Sequence, residues 1–102
     1  MEFDGFDWDE GNRQKCQKHG VSIAQIEEMF RGVVLVGPDA KHSVTEERFR
    51  AIGRTANRRG ISVAFTWRVR DAQRLIRPVS ARHMHQKEVK AYEEKISGFK
   101  NG

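Results

Sequence analysis

Residues Arg74–Glu94, RLIRPVSARHMHQKEVKAYEE, crowd Arg77, Arg82, His83, His85, Lys87, Glu88 and Tyr92 into one short stretch. Each of these side chains can bind a phosphate or move a proton. Pro78 has no N–H to give to a strand ladder, so a strand is expected to stop there. Ser80 is a good N-cap, because its hydroxyl can accept from an amide of the first turn. The spacing therefore predicts a helix from Ala81. At 100° per residue, Ala81, Val89, Tyr92, Ile96 and Phe99 share one apolar stripe, with His85 and Glu88 inside it and Arg82 at its edge. Steps of three residues make Arg82, His85 and Glu88 neighbours on that surface. Two readings follow. The cluster is a catalytic site, or it is a partly buried ion-pair network that fixes the helix to a sheet.

The elements that must position this cluster are legible from periodicity. Glu2–Trp8 reads as a short first strand or extended arm. Asp9 can cap a helix over about Glu10–Lys18, which Gly20 ends. Lys18 and His19 sit at its C-terminus, where the helix dipole favours cations. Ser22-Ile-Ala-Gln25 has the form of a capping box. It opens a second helix whose apolar face is Ile23, Ile26, Met29 and Phe30, ending near Arg31–Gly32. Val33–Val36 is an apolar, β-branched strand closed by Gly37-Pro38-Asp39. A polar connection to about Thr45, with His42 on the surface, leads to a strand over Arg48–Thr55. There Phe49, Ala51 and Gly53 point one way, and Arg48, Arg50, Ile52 and Arg54 the other.

Ile61–Arg68 has the cleanest alternation, with Ile61, Val63, Phe65 and Trp67 set against Ser62, Ala64, Thr66 and Arg68. Trp67 shares the parity of Val63 and Phe65, which favours a core role over base stacking. A hairpin near Val69–Asp71 leads to a strand over Ala72–Val79. The order is β-α-α-β-β-β-β-α, an α+β domain. Its last strands form an antiparallel meander with all three helices on one face. One domain spans residues 1–102, with a tail from about 98.

The 102 residues suffice for a single core, in which two Trp and six Phe are efficient fillers. The net charge of +5 is unevenly spread. Residues 1–47 hold five Lys/Arg against ten Asp/Glu, and residues 48–102 hold fourteen against four. A basic second half favours a phosphate-rich partner, although a solvated charged face has the same composition. The single Cys16 excludes an internal disulfide and suits a reducing cytoplasm. The acidic start MEFDGFDWDE has no apolar run, so no signal peptide is expected. No stretch approaches the roughly 18 apolar residues of a membrane span. A glycine-rich phosphate loop, HExxH and a Cys/His cluster are all absent, so neither a metal nor another cofactor is expected. Arg54, Arg68, Arg77 and Arg82 could instead line one groove if the Arg68 face of the sheet is open, because a guanidinium grips phosphate oxygens in pairs.

Trp8-Asp9, Lys18-His19-Gly20-Val21-Ser22, Glu47-Arg48-Phe49 with Ile52-Gly53-Arg54, and Thr66-Trp67-Arg68 occur in an order that resembles the BrnT toxins of bacterial type II toxin–antitoxin pairs. Arg77-Pro78-Val79-Ser80-Ala81-Arg82 and Glu88 with Tyr92-Glu93 extend the likeness, which runs from about residue 3 to residue 94. The resemblance implies a RelE-like fold with an antiparallel sheet and a small RNA-cleaving toxin that blocks translation. It also implies a ribbon-helix-helix (BrnA-like) antitoxin that neutralises the toxin and carries the complex to operator DNA. On that basis a metal-independent endoribonuclease would use Arg82, His85, Glu88 and Tyr92 for catalysis. Arg54, Arg68 and Arg77 would hold RNA phosphates. Either His85 or Glu88 would transfer the proton, imidazole being the side chain that ordinarily titrates near neutrality. The competing class is a non-catalytic basic module that binds RNA, the ribosome or the antitoxin.

Overall fold

Ile61, Val63 and Phe65 are fully buried, and the strand that carries them is the axis of the sheet. A computed structural model describes residues 1–39 and 46–101, with side chains to 98; the expectations for the 38–45 connection and His42 fall largely outside these residues, as does the Phe99 side chain. The elements are β1 (Gly5–Phe6), α1 (Glu10–Gln17), α2 (Ile23–Arg31), β2 (Val34–Pro38), β3 (Phe49–Arg54), β4 (Gly60–Arg70), β5 (Gln73–His83) and α3 (Gln86–Asn101). Their order is the expected one.

The strands β2 to β5 pair consecutively and antiparallel, as the meander requires. The sheet as a whole is mixed, however, because β1 adds to β5 in parallel to give the order β1-β5-β4-β3-β2. An N-terminal arm that returns alongside β5 by way of two helices and three strands has no tight turn to force it antiparallel.

Both N-terminal helices carry the caps that their sequences announce. The Asp9 carboxylate accepts from the Asn12 amide, and the Asn12 side chain accepts from the Asp9 amide. Ser22 and Gln25 form the second capping box. Gly20 takes a φ of +85°, which a side-chain-bearing residue rarely adopts. Below these helices, Phe30 meets Phe65 edge-on at 5.3 Å between ring centroids. Cys16, Val21, Ile26, Met29 and Phe30 pack with Ala51, Val63 and Ile76 into the main core. Burial pushes the Cys16 thiol up to about 11, so it behaves as a small apolar group. Trp67 packs against the same core, as its parity implied.

Two expectations fail at β5. Pro78 does not end the strand, and Ser80 does not cap a helix. The strand continues to His83, with Ala81 opposite Val63, Arg82 opposite Ser62 and His83 opposite Ile61. The Ile76 carbonyl accepts from Asp7 on the β1 side. Alternation therefore aims the Pro78 nitrogen at that same side, where β1 has already ended and no ladder bond is lost. The Pro78 carbonyl accepts from the Asn12 side chain instead. A bulge between Ala64 and Phe65 absorbs the proline. The long β4 thus supplies partners that override the local cap signal.

The third correction concerns layers. α1 and α2 cover the face of Phe49, Ala51, Val63 and Phe65. α3 lies over the other face, where its Glu88 and Glu93 meet Arg82 and Arg54. Helix α3 begins only at Gln86, so Ala81 and Arg82 do not belong to its surface, and its inward stripe is Val89, Tyr92 and Ile96. Tyr92 is buried, and its hydroxyl donates to the Val33 carbonyl at 2.8 Å. Among the described residues no helix is long and apolar enough to cross a membrane.

Candidate nucleic-acid site on the second sheet face

Strand parity places Arg48, Arg50, Arg54, Arg68, Arg77 and Arg82 on the face opposite α1 and α2. Helix α3 covers only the part of this face near Ile52, Arg54 and Arg82; near Arg68 and Arg77 no helix of the described residues lies over it, and Glu46 and Glu47 reach Arg68 and Thr66 there. Five of the seven candidate residues are consequently divided among three concavities, Glu88 in one, Arg68 and Arg77 in another, and Arg54 and Tyr92 in a third, while Arg82 and His85 line none of them.

The first lies between α3 and the β2–β3 edge. It has a volume of about 300 Å³, and Leu35, Arg50, Ile52, Glu88, Ala91 and Lys95 line it. Arg82 and Glu88 meet beside it through two parallel bonds, Nη1 to Oε1 at 2.6 Å and Nη2 to Oε2 at 3.0 Å. The expected neighbours therefore do meet, but across a strand-to-helix turn and not along one helix. His85 directly precedes α3 and its amide N–H also donates to Glu88 Oε1, at 2.9 Å. Its imidazole is exposed. The Arg82 guanidinium, and then the His85 amide, hold the Glu88 carboxyl down at about 2, although partial burial works against them. The same pair raises Arg82 above its ordinary value.

A carboxylate so firmly ionised is a weak proton acceptor at neutral pH, and its geometry is that of an arginine clamp. Arg50 reaches the same region, with Nη1 donating to Ser62 Oγ at 2.7 Å. Ser62 is fully buried and stands opposite Arg82 in the ladder.

The second concavity, of about 380 Å³, is on the open part of the face. Arg68, Arg77, Arg48 and Lys15 converge on it beside Asn12 and Pro78. Arg77 is paired with Asp9 at 2.8 Å and Asp7 at 3.4 Å, and Arg68 with Glu46 at 2.9 Å. The third, at the far end, holds Arg54, Arg58, Tyr92 and Glu93. Arg54 is ion-paired with Glu93 and lies over the Tyr92 ring at 5.5 Å. With its hydroxyl committed to Val33 and its pKa raised by burial, Tyr92 anchors α3. His83 ends β5 on the helix-covered face beside Arg59, away from Arg82.

Sequence reasoning missed Arg50, Arg48 and Lys15. The alternation of β3 had already set Arg48 and Arg50 on the face of Arg54 and Arg68, so the signal was present for two of them. Lys15 could not be found in this way, because only the crossing of α1 over β5 brings it to the rim.

A sequence model described as "Ribonuclease toxin, BrnT, of type II toxin-antitoxin system" matches residues 8–88. The chain belongs to the BrnT family. The match spans every strand from β2 to β5, both N-terminal helices and the start of α3, and it ends on Glu88. Among curated proteins no sequence matches the chain. Membership of the BrnT family assigns the chain to the ribonuclease toxins of type II systems, and so implies an RNA substrate and an antitoxin partner.

Proposed function

We propose that the protein is an endoribonuclease toxin that cleaves RNA without a metal and thereby blocks translation. The observation that carries this reading is the row of guanidinium groups on one sheet face, half open and half beneath α3, in a BrnT-family chain. Arg68 and Arg77 hold the RNA backbone on the open part, with Arg54 as an outer contact beside α3. Arg82 faces the scissile phosphate. The RNA 2′-hydroxyl attacks phosphorus, the P–O5′ bond breaks, and a 2′,3′-cyclic phosphate and a 5′-hydroxyl are left. The attacking hydroxyl loses a proton and the departing oxygen gains one. His85, exposed next to the Arg82–Glu88 pair, is the group placed to carry one of these transfers. Glu88 holds Arg82 in the free protein, and Arg82 stabilises the charge that builds on the phosphorane.

The same reading places the fold with the RelE-like ribonucleases. It makes the neutralising partner a ribbon-helix-helix antitoxin that takes the complex to operator DNA.

Labelled RNA incubated with the purified toxin and EDTA tests the proposal. Cleavage should survive chelation and yield cyclic phosphate ends. It should fall by about 10²-fold or more in His85→Ala, the lower bound for a positioned acid or base. Cleavage that vanishes with EDTA, or that His85→Ala leaves intact, overturns it. An Arg82→Ala sample of unchanged melting temperature that binds RNA without turnover separates an enzyme from a binding module.

A further inference from the structure

Glu88 does to Arg82 what a phosphate would do. Its two oxygens accept two parallel guanidinium bonds at 2.6 and 3.0 Å, the fork geometry that carboxylates share with phosphate esters. The pair borders a concavity whose volume, about 300 Å³, is in the range of small-molecule sites. Arg50 of β3 and Lys95 of α3 both line it. Arg50 is turned toward Ser62, whose backbone stands opposite Arg82 in the ladder. The remaining carboxylate on Arg50 is Asp39, at a loose 3.5 Å. Leu35, Ile52 and Ala91 supply apolar walls against which a nucleoside can lie. Cations on one side, an apolar wall and a carboxylate standing in the anion's place form a phosphodiester subsite with its own plug.

We infer that the cleft between α3 and the β2–β3 edge is an RNA phosphate subsite formed by Arg50, Arg82 and Lys95, which RNA enters by displacing Glu88 from Arg82. This inference rests on the ribonuclease reading and adds the residues and the exchange to it. Glu88 lies in the first turn of α3. A phosphate that takes its place therefore also meets the His85 amide that Glu88 now occupies, at the helix end that favours an anion. Only the Glu88 side chain has to rotate, since Tyr92 keeps α3 in position.

Equilibrium binding of a short fluorescein-labelled 2′-O-methyl oligoribonucleotide, measured by anisotropy over a range of salt concentrations, tests the exchange. This probe lacks the attacking hydroxyl, so catalysis does not enter. Glu88→Gln removes the competing charge and should bind up to about fivefold more tightly. Its log K against log salt should keep the wild-type slope, because the same phosphates are neutralised in both complexes. Arg50→Ala should bind more weakly and flatten the same slope by about 0.7. Equal or weaker binding by Glu88→Gln overturns the plug, and unchanged binding by Arg50→Ala overturns the subsite. If Arg50→Ala is neutral while Arg77→Ala loses affinity, the open face binds RNA and only the cleft assignment fails. If the wild-type protein does not bind the probe, the RNA reading itself fails.

Discussion

Glu88 is held by both arms of one guanidinium and by the His85 amide, and this arrangement has a readable pH signature. Its carboxyl sits at about 2 against an ordinary 4.5. A depressed carboxyl contributes its full stability above pH 4.5 and loses it as the pH falls toward 2. Both side chains of the pair are about a third exposed or less, so solvent screening keeps the contribution near about 1 kcal/mol. Glu88→Gln should therefore melt below the wild type at pH 7, with the two curves converging as the pH approaches 2. Parallel melting curves across that window would show that the pair adds nothing to folding. Gly53 is a second position where one atom decides. A Cβ there would lie 2.7 Å from Met29 Cγ, 3.0 Å from Val34 Cγ1 and 3.3 Å from the Val33 carbonyl. Met29 can yield, but the Val33 backbone cannot, so Gly53→Ala should cost about 1–3 kcal/mol by overpacking. Thermal unfolding checks it, and an unchanged melting temperature would mean that α2 sits less tightly on β3 than the structure shows.

The β4–β5 hairpin shows how local geometry and tertiary pairing share control of an element. Arg70 pairs with Gln73 across a two-residue turn in which Asp71 and Ala72 take φ of 51° and 63°. Two successive left-handed residues define the type I′ turn that matches strand twist, and glycine is preferred at its second position. Asp tolerates this region, whereas Ala is strained there by about 1–2 kcal/mol. Ala72→Gly should return about 0.5–1 kcal/mol after the extra freedom that glycine gives the unfolded chain. That corresponds to a rise of about 2–8 °C in melting temperature. A fall would show that the turn relaxes around Ala72. The hairpin was legible in the sequence to within a residue or two, as were the Asp9 cap, the Ser22–Gln25 capping box, the buried parity of β4 and the opposite facing of Arg68. Those features are set by contacts between residues close in sequence or by strict alternation. The path after Pro78 was not legible, because it depends on which side of β5 its nitrogen faces and on where β1 stops. Moving the start of α3 from Ala81 to Gln86 also moved that helix to the other face. The Arg82–Glu88 meeting survived this change for a different geometric reason, and the convergence of Lys15 with Arg77 depended on helix placement throughout.

At the scale of the molecule, the uneven charge of the sequence becomes a difference between the two sides of one sheet. The acidic first half supplies Asp7 and Asp9 to the flank of Arg77, and α3 supplies Glu88 and Glu93 to Arg82 and Arg54. The basic face is therefore internally neutralised in part, which limits the self-repulsion of clustered arginines while leaving them exchangeable. A partner that silences the toxin by occupying this face must present carboxylates to the same guanidinium groups, or cover them. Labelling with phenylglyoxal, which modifies accessible arginines, distinguishes occlusion from action at a distance. In the free toxin Arg68 and Arg77, each with a solvent-reachable side, should react. In the purified toxin–antitoxin complex both should be protected, along with Arg82, whereas Arg31 on the α2 side should label equally in the two samples. RNA added to the free toxin should protect the same three positions if substrate and inhibitor compete for one surface. Should Arg68, Arg77 and Arg82 all stay reactive in a complex that no longer cleaves RNA, neutralisation does not act by covering the basic face. The antitoxin would then have to hold α3 and its Glu88 closed over Arg82 from outside the site.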